Sequence, residues 1–146
     1  MKVCLVCSHG GHLTEMLELV EAFEGHKIFF VSYRGSTSEK LENAFLLTNP
    51  DVNPLTHLVN AVRIFFKLLR EHPDVVFSTG AEIAISACWI GKLLGAKIAH
   101  LECSAQVNTP STTGRLVYPI SDLFLVQWES LLKEFGSKAR CVGGLI

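Results

Sequence analysis

Short apolar runs and longer segments with apolar residues at helical spacing take turns along this chain, and that alternation predicts the fold. Lys2 to Cys7 holds Val3, Cys4, Leu5, Val6 and Cys7 in succession, the pattern of a strand buried on both faces. From His12 to Phe23 the apolar positions Leu13, Met16, Leu17, Val20 and Phe23 fit one helical face, closed by Gly25. A second strand is predicted over Lys27 to Tyr33, then a polar turn from Arg34 to Ser38 and a weaker element through Leu46 and Leu47. Leu55 to Glu71 reads as a helix stopped before Pro73. Asp74 to Ser78 reads as a strand, Thr79-Gly80 as the start of a helix through Leu94, and Gly95 as its carboxyl cap. Ala96 to Leu101 is another strand, Glu102 to Thr113 a polar loop, Asp122 to Gln127 a strand, Glu129 to Phe135 a short helix and Arg140 to Val142 a last strand.

This order implies one α/β domain over residues 1–146, a doubly wound, mostly parallel sheet with helices on both faces. Ligands of such sheets bind beyond the carboxyl ends of the strands. The polar turns Ser8 to Thr14, Arg34 to Ser38, Ser78 to Glu82 and Glu102 to Asn108 are therefore expected along one rim.

Composition narrows the class. The chain is 49% hydrophobic and 18% charged, with a mean hydropathy of +0.33, so some apolar surface is expected to meet a partner or a membrane. No apolar run reaches the roughly 18 residues that a spanning helix needs. A net charge of -1 gives no support for a nucleic-acid partner. Five cysteines without a secretory signal are expected to be reduced, in a cytoplasmic setting. Cys4 and Cys7 form C-x-x-C, but their odd spacing on a strand sends them to opposite faces.

The candidate chemistry begins at Ser8-His9-Gly10-Gly11-His12-Leu13-Thr14-Glu15-Met16, where a strand breaks into a glycine turn and then a helix start. Unpaired backbone N–H groups and the positive end of the helix dipole would suit an anion or a polar sugar there. The turn is not G-x-G-x-x-G and no acidic residue directly ends the second strand, so no dinucleotide is expected, nor any other cofactor. His12 reads as a general base or a donor to a sugar oxygen, or else as a helix-start histidine bonded to backbone. His9 and His12 lack a neighbouring set of cysteines or carboxylates in sequence, so no metal is expected. Glu15 reads equally as a catalytic carboxylate or as a first-turn charge stabilising the helix. Thr79-Gly80 repeats the logic of the first turn. Glu102, at a strand end on the same rim, is a second candidate base or a carboxylate paired with Arg34 or Arg115. His26, His57, His72 and His100 read as surface or packing residues.

The helix from Leu55 has a polar stripe of Asn60, Arg63, Lys67, Arg70 and Glu71. Leu58, Val59, Val62, Ile64, Phe65, Phe66, Leu68 and Leu69 cover most of the remaining circumference, more than packing on a sheet requires. Arg63, Phe65, Phe66, Lys67 and Arg70 suit an interfacial helix on an anionic membrane, while burial against a neighbouring helix or partner chain fits the same periodicity.

The Gly-Gly-His turn at Ser8 to Met16 resembles the amino-terminal motif of the Alg-fourteen family, which includes the PssD-type subunits of bacterial polysaccharide synthesis. Leu101-Glu102-Cys103-Ser104 and Thr112-Thr113-Gly114-Arg115-Leu116-Val117-Tyr118-Pro119-Ile120-Ser121-Asp122-Leu123-Phe124-Leu125-Val126-Gln127-Trp128-Glu129 are similar to its carboxyl-terminal signature. Ser78-Thr79-Gly80 sits at its middle glycine motif. The resemblance implies the Rossmann-like amino-terminal half of a split, MurG-like GT-B glycosyltransferase. It implies a UDP-sugar donor, a polyprenyl-pyrophosphate-linked acceptor and a role in polysaccharide or N-glycan assembly. It also implies an Alg-thirteen or PssE-like chain supplying most of the nucleotide-sugar site, this chain being inactive alone. In that scheme His12 and Glu102 are candidate bases, and Gly10, Gly11, Thr14, Glu15, Arg34, Thr79, Gly80 and Ser104 candidate substrate contacts. A non-catalytic membrane scaffold is the alternative, and a stand-alone nucleotide-sugar enzyme such as an epimerase is a weaker third. Eukaryotic relatives begin with a spanning helix, whereas this sequence begins with its first strand, so attachment is expected to be peripheral, on the inner face of the cell membrane. The sequence ends just past the last predicted strand, at Gly143-Gly144-Leu145-Ile146, where a fused enzyme would continue. Two positions depart from the family pattern: His9, where many relatives have a smaller residue, and Glu82, where small residues are common.

Overall fold

In the computed structural model, which describes residues 1–145, seven parallel strands form one sheet. The strands are β1 (Lys2–Val6), β2 (Lys27–Tyr33), β3 (Ala44–Leu47), β4 (Val75–Ser78), β5 (Lys97–Leu101), β6 (Leu123–Val126) and β7 (Ala139–Cys141). Their order is β3-β2-β1-β4-β5-β6-β7, each parallel to its neighbours. The chain thus winds outward in one direction to β3, returns to the middle, and winds outward in the other to β7. The change of direction falls between β1 and β4, where a doubly wound sheet opens its crevice.

The helices are α1 (Gly11–Glu18), α2 (Pro54–Glu71), α3 (Glu82–Leu93), α4 (Thr112–Val117) and α5 (Leu132–Phe135). One layer packs Leu13 and Met16 of α1 onto Val3, Leu5, Cys7, Phe30, Phe77, Ala99 and Leu101. The opposite layer packs Ile64 and Leu68 of α2 and Ile83, Ala84, Ala87 and Cys88 of α3 onto Cys4, Val6, Phe29, Val31, Val76 and Ile98. A third cluster joins Phe124 and Val126 to Leu131 and Ala139. Cys4 and Cys7 fall in different layers, as their spacing requires, and the five described cysteines are all free thiols. Burial pushes the Cys7 and Cys88 thiols up to about 12.

Three elements differ from expectation. The first helix ends at Glu18 and tightens into a 3-10 turn at Val20–Phe23, which brings Leu19, Val20 and Phe23 onto the same apolar layer. The helix after β4 starts at Glu82 rather than Thr79, because Gly80 (φ 121) and Ala81 (φ 68) hold backbone angles that no right-handed helix uses. From the end of the expected loop, in a stretch with no predicted element, α4 forms with a 3-10 turn at Tyr118–Ile120 behind it, capped by Ser111, whose Oγ accepts from Gly114 N at 2.8 Å.

The helix α2 begins with Asn53 as cap, its side chain accepting from Leu55 N at 3.0 Å, and Pro54 in the first turn. It ends at His72, whose left-handed φ of 47 precedes Pro73. Its orientation inverts the sequence reading of its polar stripe. Asn60 is buried and donates to Thr48 O at 2.7 Å. Arg63 and Lys67 are half-buried over the Phe45 ring, with Lys67 also over Phe29 and paired with Glu71 at 3.0 Å. Arg70 is exposed and Phe65 half-buried. Leu55, Leu58, Val59, Val62, Phe66 and Leu69 point to solvent, with Phe66 62% exposed. So Arg63 and Lys67 are turned toward the domain, and the outward face of α2 is apolar. Among the described residues no helix is long and apolar enough to cross a membrane.

Candidate functional site at the sheet switch point

The crevice between β1 and β4 is bridged by two hydrogen bonds between α1 and the turn after β4. His12 Nδ1 lies 2.9 Å from Thr79 O, and Thr79 Oγ1 donates to His12 O at 2.7 Å. A carbonyl oxygen only accepts, so Nδ1 carries a proton, and in the neutral imidazole Nε2 keeps the lone pair. The imidazole also lies against Gly80. A Cβ built there would stand 2.9 Å from His12 Cε1 and 3.0 Å from Nδ1. Glycine at 80 thus serves both the turn and the ring seated on it. The two turns that the sequence marked out meet here, through His12, Thr79 and Gly80.

Gly10 caps α1 with φ 88, and the Thr14 hydroxyl donates to Gly10 O at 3.2 Å. Gly10 and Gly11 are exposed, and a Cβ at either would meet nothing within 4 Å. The fold does not need the bare backbone at Gly11, so the open space above it is available to a ligand. His9 turns the other way: its ring lies against Gly35, and Nε2 is 3.2 Å from Asn49 Nδ2. Arg34 is exposed and pairs with Glu39 at 3.5 Å, away from His12 and Thr79.

Glu15 is not the first-turn surface charge of the helix-stabilising reading, since α1 starts at Gly11 and Glu15 is 2% exposed. Its Oε1 accepts from Ser104 N at 2.8 Å and from Gln127 Nε2 at 3.2 Å. Its Oε2 has no hydrogen-bond partner among the described residues. Gln127, absent from the candidates drawn from sequence, is a buried hub: Nε2 also donates to Glu102 O at 3.0 Å, and Oε1 accepts from Leu145 N at 2.9 Å. A glutamine ending an apolar strand was its one signal. Cys103 was missed as well. Its thiol is pushed up, by burial first and by the Glu15 and Glu102 carboxylates beside it. Donor atoms of His12, Glu15 and Cys103 lie within 4.8 Å of one another, so the loop after β5 brings a cysteine to the His12–Glu15 pair, a cluster that the no-metal expectation did not foresee.

Glu102 faces the other side of the sheet, beneath α4. Its Oε1 accepts from Ser111 Oγ at 2.7 Å and Cys103 N at 3.2 Å, its Oε2 from Ser111 N at 3.1 Å. Neither Arg34 nor Arg115 supplies those bonds, so the ion-pair reading is replaced by a helix-capping one. A Cβ on Gly114 would stand 2.2 Å from Oε2, so α4 closes directly over the carboxylate. Burial pushes this carboxyl up, but the neighbouring His100 ring and the Ser111 bonds outweigh it and hold the group below its usual range. His100 is fully buried against Phe124, with Nε2 3.8 Å from Glu102 Oε1, so it does belong to a constellation. A carboxylate so bound is poorly suited to take a proton, and Glu102 and His12 are not brought together.

Residues 47–145 match the family model described as "Oligosaccharide biosynthesis protein Alg14 like". The chain belongs to the Alg14-like family. Among Alg14-like relatives, the Candida albicans protein named UDP-N-acetylglucosamine transferase subunit ALG14 is 39% identical over 54% of this chain and 38% of its own length. The subunits of the same name from Schizosaccharomyces pombe and Homo sapiens are 28% and 24% identical, each over 92% of this chain and 78% and 79% of their own lengths. In fold, Acinetobacter baumannii MurG superposes with a TM-score of 0.81 at 14% identity, over 97% of this chain and 45% of that one. A UDP-N-acetylglucosamine 2-epimerase from Rickettsia bellii gives 0.79 at 15%, over 99% and 45%. The chain therefore spans less than half of the Candida relative and of these two enzymes. Transferases and epimerases share the fold, so the fold alone does not choose between them.

Proposed function

We propose that this Alg14-like chain is the acceptor-binding subunit of a two-chain glycosyltransferase. The reaction moves a sugar from a UDP-sugar to a polyprenyl-pyrophosphate-linked acceptor, in polysaccharide or N-glycan assembly. The observation that carries this reading is the His12 imidazole fixed at the sheet switch point, its Nδ1 committed to Thr79 and its Nε2 left as a base. His12 Nε2 takes the proton of the acceptor hydroxyl as the sugar transfers with inversion. The open Gly10-Gly11 turn and the amino end of α1 receive the acceptor's anionic group. Thr14, Thr79, Gly80, Glu15 and Ser104 shape that wall, Glu15 and Ser104 from beneath it, whereas Glu102 and Arg34 act outside it. The relatives' name makes UDP-N-acetylglucosamine the first donor to try.

An Alg-thirteen or PssE-like chain supplies the nucleotide-sugar half, and the chain alone is inactive. The outward apolar face of α2 rests on the inner face of the cell membrane, which makes the attachment peripheral and the location cytoplasmic. The alternative is a scaffold that holds a complete enzyme at the membrane.

The test is reconstitution with the partner, following sugar from UDP-N-acetylglucosamine into lipid-extractable product. We expect His12→Ala to lower kcat by about 100-fold or more while the partner still co-purifies. Gly11→Ala should raise the acceptor KM with stability unchanged or slightly improved, since Ala is the better helix former. Full transfer by His12→Ala removes His12 as base and favours the scaffold.

A further inference from the structure

We infer that His12, Glu15 and Cys103 form a binding site for a zinc-class divalent cation. Three observations converge. Nitrogen, oxygen and sulfur donors from α1 and from the loop after β5 lie within 4.8 Å of one another. The Nδ1 bond to Thr79 O fixes the imidazole and leaves Nε2 as the donor, the arrangement in which metal-binding histidines are held. Glu15, 2% exposed, has one oxygen satisfied by Ser104 N and Gln127 Nε2 and the other with no partner among the described residues.

That oxygen, with only the weak donor of the Cys103 thiol beside it, is the feature that most favours a ligand. A buried carboxylate oxygen without a strong donor is costly, and native folds rarely leave one unanswered. A cation between the three side chains satisfies it. The mixed donor set selects the metal: a thiolate and an imidazole favour zinc over the all-oxygen cations magnesium and calcium. Zinc bonds of about 2.0–2.3 Å put tetrahedral donors about 3.5 Å apart, so binding draws these side chains inward by about 1 Å at most. Three protein ligands leave a fourth position for water or a bound molecule. The Cys103 thiol binds as thiolate, and its proton passes to solvent.

One consequence rests on the reading of His12 as base: the cation occupies the Nε2 lone pair, so it competes with proton abstraction and inhibits transfer.

The experiment uses the tag-free full chain under reducing conditions. Titration calorimetry with zinc chloride should show one site per chain. Cobalt(II) in its place should give a thiolate-to-metal charge-transfer absorption. Cys103→Ser, a conservative change at a half-buried position, should abolish that absorption. Cys103→Ser and Glu15→Gln should each weaken zinc binding by about tenfold or more, the loss that even an outer-shell partner produces. No saturable binding, or binding of equal strength in Cys103→Ser without thiolate absorption from the parent chain, overturns the site. In the reconstituted transferase, inhibition by zinc that Cys103→Ser relieves supports both the site and the base reading. Zinc binding without inhibition supports the site and overturns His12 as the base.

Discussion

Replacing Gly80 by alanine tests the seating of His12 in the fold, apart from any activity. The new methyl group has two costs. At φ 121 the backbone lies where side chains are rarely found, a strain of about 1–3 kcal/mol. The methyl would also stand 2.9 Å from His12 Cε1, closer than real Cβ contacts come. The ring must leave, and with it the bond to Thr79 O, a net loss of about 0.5–1.5 kcal/mol. Together these give about 2–4 kcal/mol, or a Tm lower by roughly 6–12 °C for a domain of this size. The two parts separate in a double-mutant cycle with His12→Ala, read by urea unfolding. Without the ring only the backbone strain remains, so Gly80→Ala should cost about 1 kcal/mol less in that background. Equal costs in the two backgrounds, within about 0.3 kcal/mol, would refute the contact between ring and turn.

Two further outcomes are expected. Glu102 is held below the usual carboxyl range in the folded state, so its stabilising contribution is present above its unfolded value and lost as pH falls through the folded one. Glu102→Gln should therefore be less stable than the parent by about 1–3 kcal/mol near pH 7, with the gap narrowing on acidification. Urea midpoints across pH check this, and a gap that does not change with pH argues against an ionised Glu102. At α2, Leu58→Glu with Phe66→Glu should abolish binding to anionic vesicles in a flotation assay while leaving Tm nearly unchanged, because both side chains already face solvent. Retained flotation would move the membrane contact elsewhere on the domain.

The fold was legible because strands buried on both faces make continuous apolar runs, and β1, β2, β4 and β6 do so, with β5 broken only by His100. The short elements were not. At α4 the cap Ser111 lies in the polar run that reads as loop, and a helix of six residues is too short for periodicity to show. At Gly80-Ala81 two positive φ angles delay α3, and the glycine at 80 also leaves room for the His12 ring. Of the candidate site, His12, Thr79 and Gly80 could be found because their turns follow adjacent strands. Glu15 stood among the sequence candidates but its burial did not, and Cys103, Gln127 and His100 were not singled out, because their significance lies in partners between 2 and 112 residues away. The helix α2 misled for a different reason. Periodicity gives the stripe but not which side faces inward, and long basic side chains can lie along aromatic rings as readily as in water.

The inward turn of that stripe changes how α2 will tolerate mutation. On most surface helices the polar positions accept nearly any residue and the apolar ones do not. Here a library selected only for correct folding should drift toward polar residues at Leu55, Leu58, Val62 and Phe66, while keeping Asn60, Ile64, Lys67 and Leu68. A library selected in cells for growth that depends on the protein should hold Leu58 and Phe66 as well. The difference between the two selections would outline, residue by residue, the part of the helix kept for something other than the fold.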